Sequence, residues 1–444
     1  MRSDVIVVGG GVAGLAAAGR LAEAGRRVTL LEARARLGGR VHTVLDPTHG
    51  HPIELGAEFI QGQSTDLLQM LQRARVALRV VPEQHQRVTN HGTKQFPDVD
   101  SLADRLLDST LPALGDVPVA QAIRHLAPAD FTVDEVEALA GYLEDFHAAD
   151  LERFGTAGLA ENQAVVARDG PRVVRLEGGY GRLVSALGAR LDPDLVRVQL
   201  ETIVTGLRWR AGEVVVEARH NGDAIELTGS QSILTLPLGV WKAAKGLEGT
   251  INLDPLPTDW PEALAALEMG IARRVDFRFD AAWWMEPNRP APAFVYGPFM
   301  HGKDQPFPVW WTTAPPTQPF LTGWLGGPRA EAMAGRTQDE VARLALQSAA
   351  SIFGQTVGKL ESRVRAVYTH DWSTDSFSRG AYSYGGVGAI AARETLRRPV
   401  AGTLFLAGEA LAGDGLNATV SGALTSGLQA AGTLLDVPVA TPAR

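Results

Sequence analysis

The stretch from Val5 to Arg40 restricts the fold more than any other part of the chain. Val5-Ile6-Val7-Val8 is a short apolar run, rich in β-branched residues, of the kind that forms a strand buried on both faces. Gly9, Gly11 and Gly14 follow at once in the spacing G-x-G-x-x-G. Leu15 to Ala24 is helical in composition, Gly25 can end that helix, and Val28-Thr29-Leu30-Leu31 forms a second strand that finishes on Glu32. Each position has a use in holding a dinucleotide. Gly9 permits the tight turn, Gly11 lets the backbone approach a pyrophosphate, and Gly14 lets helix and strand pack closely. Val12 and Ala13 open the helix whose free N–H groups face the phosphates. Glu32 is placed to accept hydrogen bonds from a ribose, with Ala33 and Arg34 beside it in the same nucleotide-binding group. A merely structural glycine turn would need neither the second strand nor its terminal acid.

Three further stretches decide which dinucleotide. Leu37-Gly38-Gly39-Arg40 comes soon after Glu32, and Glu54-Leu55-Gly56-Ala57-Glu58-Phe59-Ile60-Gln61-Gly62 follows a Gly/Pro/His turn. Near the C-terminus, Thr403 to Ala407 reads as a strand running into Gly408-Glu409. Asn417-Ala418-Thr419-Val420-Ser421-Gly422-Ala423 then opens a helix of small residues, able to lie close to a flat ring. Together these motifs resemble the flavin amine oxidase family: monoamine oxidases, polyamine oxidases and the related histone lysine demethylases. The resemblance runs from Val5 to Leu435. It implies an α/β fold, with a Rossmann-like FAD-binding domain interleaved with an α+β substrate-binding domain. It also implies that Gly39 and Arg40 bind the FAD pyrophosphate, and that Gly56, Ala57 and Glu58 lie beside the flavin. Val204 would meet the adenine end through its backbone, and Gly408, Glu409, Thr419 and Val420 would complete the cofactor site. The N-terminus of the last helix can stabilise negative charge at flavin N1 and O2. Without the resemblance, Val204 is an ordinary strand valine and Arg40 a surface arginine after a turn.

Periodicity fills in the rest. Helices are expected over Ser64–Arg75, Ser101–Leu107, Gln338–Phe353 and, behind a capping box at Thr132, to about Asp150. Strands are expected around Val196–Leu200, Val204–Trp209, Val214–Ala218, Val275–Phe279, Pro308–Thr312 and Phe320–Leu325. The FAD-binding domain would take residues 1–77, 173–250 and 373–444. The substrate domain would take a mostly helical 78–172 and then 251–372.

The family oxidises a C–N bond: a neutral amine delivers a hydride equivalent to flavin N5, the imine hydrolyses, and dioxygen reoxidises the flavin to give hydrogen peroxide. Trp372 and Tyr382 resemble the family's tryptophan by the flavin and its tyrosine over the ring. Ala381 stands where monoamine oxidases carry their covalent cysteine, so the FAD is expected to be non-covalent. Tyr382 would be one wall of an aromatic cage, and the other wall falls at Thr419, so half the cage is missing. Read alone, Tyr382 is equally a buried core tyrosine. The family's lysine, which holds a water against N5, lies four residues after a glycine and ten before a tryptophan; between Gly270 and Trp284 that place is Arg274. Arginine stays protonated and cannot act as a base, though it can hold a water, N5 or a substrate carboxylate. Arg273 is expected to point outward, because strand neighbours face opposite ways. Glu58, Phe59 and Gln61 are the candidate substrate-binding residues.

The totals exclude other classes. The 444 residues call for two domains, a net charge of −8 argues against nucleic acid, and the absence of cysteine removes disulfide, thiol and zinc–thiolate chemistry. No metal cluster is expected from the ten histidines; His49-x-His51 lies in a turn. No stretch approaches the ~20 apolar residues of a membrane span. The expectation is a cytoplasmic oxidase of a primary or secondary amine, with a homodimer as its candidate assembly. The alternatives are an L-amino-acid oxidase using Arg274 for the carboxylate, a flavin-dependent desaturase or isomerase, and a flavoprotein without oxidase activity.

Overall fold

A computed structural model describes residues 3–61, 64–81, 84–89, 92–126, 130–169, 173–286, 298–313 and 315–437. Gly62 and the segment 438–444 lie outside these residues. The strand Ser3–Val8, whose apolar residues are almost fully buried, lies at the centre of the first sheet. It pairs in parallel with Val28–Leu31 on one side and with the end of Asp223–Leu234 on the other; Val196–Gln199 extends the sheet beyond Val28–Leu31. The twelve-residue strand Asp223–Leu234 serves two further partners on its other edge. Its first half pairs antiparallel with Glu213–His220, and its last three residues pair in parallel with Leu404–Leu406. The helices Val12–Glu23 and Val420–Asp436, both rich in alanine and glycine, pack together on one face.

The second sheet runs Val364–Tyr368, Ala272–Phe279, Phe320–Gly326, Val309–Thr312, Pro298–Gly302, Gln84–Thr89, Gly92–Gln95. One face carries Val275, Phe277 and Phe279 into a core with Trp283, Trp284, Trp310 and the helix Gln338–Ile352. The alternate residues Ala272 and Arg274 line the large cavity on the other face. Arg273 does face away from Arg274, but it is not outward. It is 4 % exposed and ion-paired with Asp371, because a loop covers that side of the strand as well.

The segment 78–172 is mostly helical, but not at its start. It begins with three strands: Leu78–Val81 joins Ile60–Gln61 and Val173–Leu176 in a small sheet, and Gln84–Thr89 with Gly92–Gln95 ends the second sheet. The strands at 84–95 are polar, so no apolar alternation announces them. The helices Val99–Leu114, Val119–His125, Val133–His147 and Thr156–Asp169 follow, the third behind the expected capping box of Thr132 and Glu135. Asn252–Asp254, expected in the second domain, pairs with Thr202–Arg210 in the first sheet. No helix among the described residues is long and apolar enough to cross a membrane.

One buried acid ties a short hairpin to the second sheet. Asp46, in the turn between the short paired strands Thr43–Leu45 and Pro52–Glu54, is 0 % exposed. It accepts hydrogen bonds from the Thr48 and His49 backbone and from the Tyr368 hydroxyl, and its other neighbour is Arg278 at 2.9 Å. Burial alone would raise its carboxyl; the bonds from Tyr368 and His49 and the charge of Arg278 outweigh that and hold it below its usual range. A carboxylate depressed in this way stabilises the fold above its unfolded pKa, 3.8, and loses that contribution as pH falls through the lower folded value. Asp46→Asn is therefore expected to cost ~2 kcal/mol near neutral pH. Urea unfolding near pH 7 and near pH 3 checks this: the deficit should shrink at the acid end.

Candidate active site

The first strand ends where the glycine turn begins. Gly9 adopts φ +108°, and the Gly9 amide donates to Leu31 O at 2.8 Å, closing the turn against the second strand. At Gly14 a Cβ would stand 1.9 Å from Gly9 O, so only glycine allows helix and strand to meet there. At Gly11 the situation is reversed. Its φ of −74° suits any residue, and a Cβ would meet no protein atom within 4 Å. The space in front of Gly11 opens into the cavity, where a ligand's phosphates could approach the N-terminus of the Val12–Glu23 helix.

Glu32 is 4 % exposed and takes the Gly10 amide at 2.7 Å and the Arg34 amide at 2.9 Å. Burial pushes its carboxyl up against those bonds. Each oxygen keeps a lone pair for a ribose hydroxyl. Arg34 reaches across to Asp375 and to Ser378 Oγ at 2.9 Å, with its guanidinium 5.4 Å from the Phe377 ring centre. Val12, Ala13, Ala33, Gly39 and Val204 line the same part of the cavity.

Arg40 is not a surface residue. Its Nη1 donates to Glu409 Oε1 at 2.8 Å and to Ala381 O at 2.9 Å. Glu409, 6 % exposed, also accepts from Ser383 Oγ at 2.6 Å and the Ala418 amide at 3.0 Å. The N-terminal and C-terminal motifs thus meet in one ion pair beside Gly408. Thr419 caps the Val420–Asp436 helix: it accepts from the Gly422 amide at 2.9 Å and donates to Leu416 O at 2.7 Å. Thr419, a candidate catalytic residue by its motif, lines the cavity with its hydroxyl committed to the backbone. Val420 stands next to it at the cavity wall.

Gly56, Ala57, Trp372 and Tyr382 line the middle of the cavity. Trp372 Nε1 is fixed to Leu55 O at 2.7 Å. The Tyr382 hydroxyl donates to Phe146 O at 2.8 Å, and burial raises its pKa. Its ring lies nearly parallel to that of Trp324, 10° between planes and 6.4 Å between centres. Tyr382 therefore has an aromatic neighbour, from a strand the sequence did not pair with it.

Arg274 is locked. Its Nε and Nη2 take Asp276 side-on at 2.7 and 2.9 Å, and its Nη1 donates to Glu58 at 2.6 Å. Burial works against its charge, but Asp276 and Glu58 raise its pKa and keep it a permanent cation. Glu58 also receives Arg175 Nε at 2.6 Å and Trp311 Nε1 at 3.1 Å. Burial would raise its carboxyl; the two arginines prevail and hold it below its usual range. Arg175, Asp276, Trp311 and Trp324 were absent from the sequence candidates. Only Asp276 left a local signal, two residues from Arg274 on the same strand face.

Beyond this cluster the cavity widens into an aromatic chamber. Phe59 contacts Trp311 and Phe299, with ring centres 5.8 and 5.7 Å apart, and His85 stacks on Phe299 at 5.0 Å. Gln61 and Phe146 also line it. The carboxylates at its rim face cations: Glu137 with Lys303 at 2.6 Å, and Asp145 with Arg329 at 3.0 Å. The whole cavity holds about 830 Å³, large even for a ligand pocket. No group of three or more potential metal ligands occurs among the described residues.

Comparison with known proteins agrees with this geometry. A family model described as flavin containing amine oxidoreductase matches residues 12–137 and 119–435. Polyamine oxidase 3 of Oryza sativa subsp. japonica is 26 % identical, with 96 % of this chain and 88 % of the relative aligned. Polyamine oxidase 1 of the same rice is 29 % identical over 87 % and 85 %. Among solved structures, putrescine oxidase bound to putrescine superimposes with a TM-score of 0.76 at 20 % identity, covering 98 % of this chain and 100 % of that one. Cyclohexylamine oxidase from Brevibacterium oxydans IH-35A gives 0.77 at 20 %, covering 98 % and 99 %. The chain belongs to the flavin-containing amine oxidoreductases and has their two-domain fold.

The contrast between Gly11 and Gly14 gives a direct test of the cofactor cradle. Gly11→Ala should leave the cofactor-free fold within ~0.5 kcal/mol of the parent. The methyl group should still weaken flavin binding about tenfold by filling the space the phosphates need. Flavin content on purification and denaturation of the stripped protein separate the two effects.

Proposed function

We propose that this protein oxidises the C–N bond of a primary or secondary amine with a non-covalently held FAD. The observation that carries the reading is the continuity of one cavity, from the open face of Gly11, past Arg40 and Trp372, into the aromatic chamber at Tyr382, Trp311 and Phe59. The chain has no cysteine to hold the flavin, and Ala381 stands beside Tyr382. Gly9 to Ala13 would receive the pyrophosphate, Glu32 the ribose, and the N-terminus of the Val420–Asp436 helix the ring's polar edge. The bound flavin supplies the two-electron acceptor and returns those electrons to dioxygen.

The protein's share is positioning. The rings of Tyr382, Trp324 and Trp311 offer faces suited to an amine and its apolar substituent. The chamber's apolar walls keep water from the reacting carbon. Arg274 cannot take a proton from substrate, so the amine must enter or become neutral without a basic residue at that position. The geometry weighs against an L-amino-acid substrate held by Arg274. The bidentate edge of this guanidinium is already occupied by Asp276.

Anaerobic mixing of the oxidised protein with monoamines, polyamines and L-amino acids tests the reading through the flavin's visible absorbance. Amines should bleach it and amino acids should not; bleaching by none of them would overturn the proposal. On admitting air, Arg274→Lys should reoxidise about tenfold faster than the parent, because lysine restores the family's water-holding group. Unchanged reoxidation in that variant and in Arg274→Ala would remove Arg274 from the oxygen step.

A further inference from the structure

Four charged side chains form one cluster, two of them on the cavity wall and two behind it. Glu58, Arg175 and Arg274 are each nearly buried, and Asp276 is the most buried of all. Arg274 bridges the two acids, and Glu58 bridges the two arginines. Thr322 Oγ1 closes the far side on Asp276 at 2.6 Å, and Arg175 lies 4.8 Å over the Phe59 ring. Arg274 and Glu58 line the cavity, whereas Asp276 sits behind Arg274 and Arg175 behind Glu58 and Phe59, and neither reaches it.

This arrangement limits what Glu58 can do. One oxygen receives Arg175, and the other receives both Arg274 and Trp311. A carboxylate whose lone pairs face three donors has little left for a substrate ammonium. Two buried guanidinium groups beside a path for protonated amines would, left bare, repel that substrate. Glu58 and Asp276 cancel them one for one. Of the neighbours, Glu54 alone adds a partial negative charge near neutral pH, and that charge is directed to Thr43 Oγ1 and the Tyr180 amide. His51 is kept neutral by burial, Arg278 is met by Asp46, and burial pushes Glu54 up to about 7.

We infer that Glu58, Arg175, Arg274 and Asp276 act as a charge-balanced screen, which lets a cationic amine pass a site built around a permanent arginine. In this view Arg175 and Asp276 are specificity-determining residues that need not touch substrate, and Glu58 works through the arginines. The inference rests on the amine reading above, but its test needs no turnover. Choline, which has no oxidisable amine hydrogen, and its neutral isostere 3,3-dimethylbutan-1-ol are titrated calorimetrically into the FAD-loaded protein.

Glu58→Gln leaves one net positive charge and should weaken choline about tenfold. Arg175→Met leaves one net negative charge and should tighten it. The double variant restores balance and should return choline to within about twofold of the parent, with the alcohol unchanged throughout. A double variant as weak as Glu58→Gln would make Glu58 a direct amine ligand and overturn the screen. So would an alcohol that shifts as much as choline, or a parent that binds neither probe. If Arg175→Met does not fold, Asp276→Asn decides: it also leaves a net positive charge, and it must weaken choline as Glu58→Gln does although it lies outside the cavity. Parent protein that follows this charge order but is bleached by no amine would leave the screen standing and sink the oxidase reading; bleaching without the charge order would do the opposite.

Discussion

The pair between Arg40 and Glu409 is the contact on which the site depends. It joins residues 369 positions apart and brings the glycine turn, the Gly-Gly-Arg segment and the last helix to one cavity. Burying such a pair is costly unless every remaining lone pair is met. Here Ser383, the Ala418 amide and Ala381 O supply those partners, so the charges are held by surrounding dipoles and not only by each other. The same economy recurs at Asp46 and at Glu58. In each case a buried carboxylate gathers donors from segments remote in sequence.

The sequence was most informative where function is written in local spacing. Gly9, Gly11, Gly14 and Glu32 form their turn and strand end within one short segment, and the structure brings Gly9, Gly11 and Glu32 to one wall with Gly14 packed behind it. The capping box at Thr132 was legible for the same reason. What stayed hidden depends on contacts that no window contains. Arg175 meets Glu58 across 117 positions, and Trp324 meets Tyr382 across 58. Strand alternation gave the opposite facing of Arg273 and Arg274, yet could not say that both faces were covered. Gln84–Thr89 escaped notice because a polar strand at a sheet's end has no apolar period to display.

These contacts also change the meaning of single residues. Thr419, in the place of an aromatic wall, is a helix cap; Arg274, in the place of a lysine, is a bridge between acids. A motif reading assigns both to the reaction by position. Their hydrogen bonds tie the first to the backbone and the second to Asp276 and Glu58.

The threading of the chain through its two sheets has a bearing on biosynthesis. Ser3–Val8 is made first, but its neighbour Asp223–Leu234 emerges more than two hundred residues later, and Leu404–Leu406 later still. The helix that packs on Val12–Glu23 is Val420–Asp436, near the end of the chain. Until Asp223–Leu234 emerges, one edge of the apolar strand Ser3–Val8 lacks its partner, and contacts of such long range are slow to form. The pyrophosphate turn is synthesised long before Glu409 and the Val420–Asp436 helix, so the complete cofactor cradle comes into being only once those residues have followed. Flavin that arrives sooner meets half a cradle, and the protein becomes an enzyme on the flavin it meets afterwards.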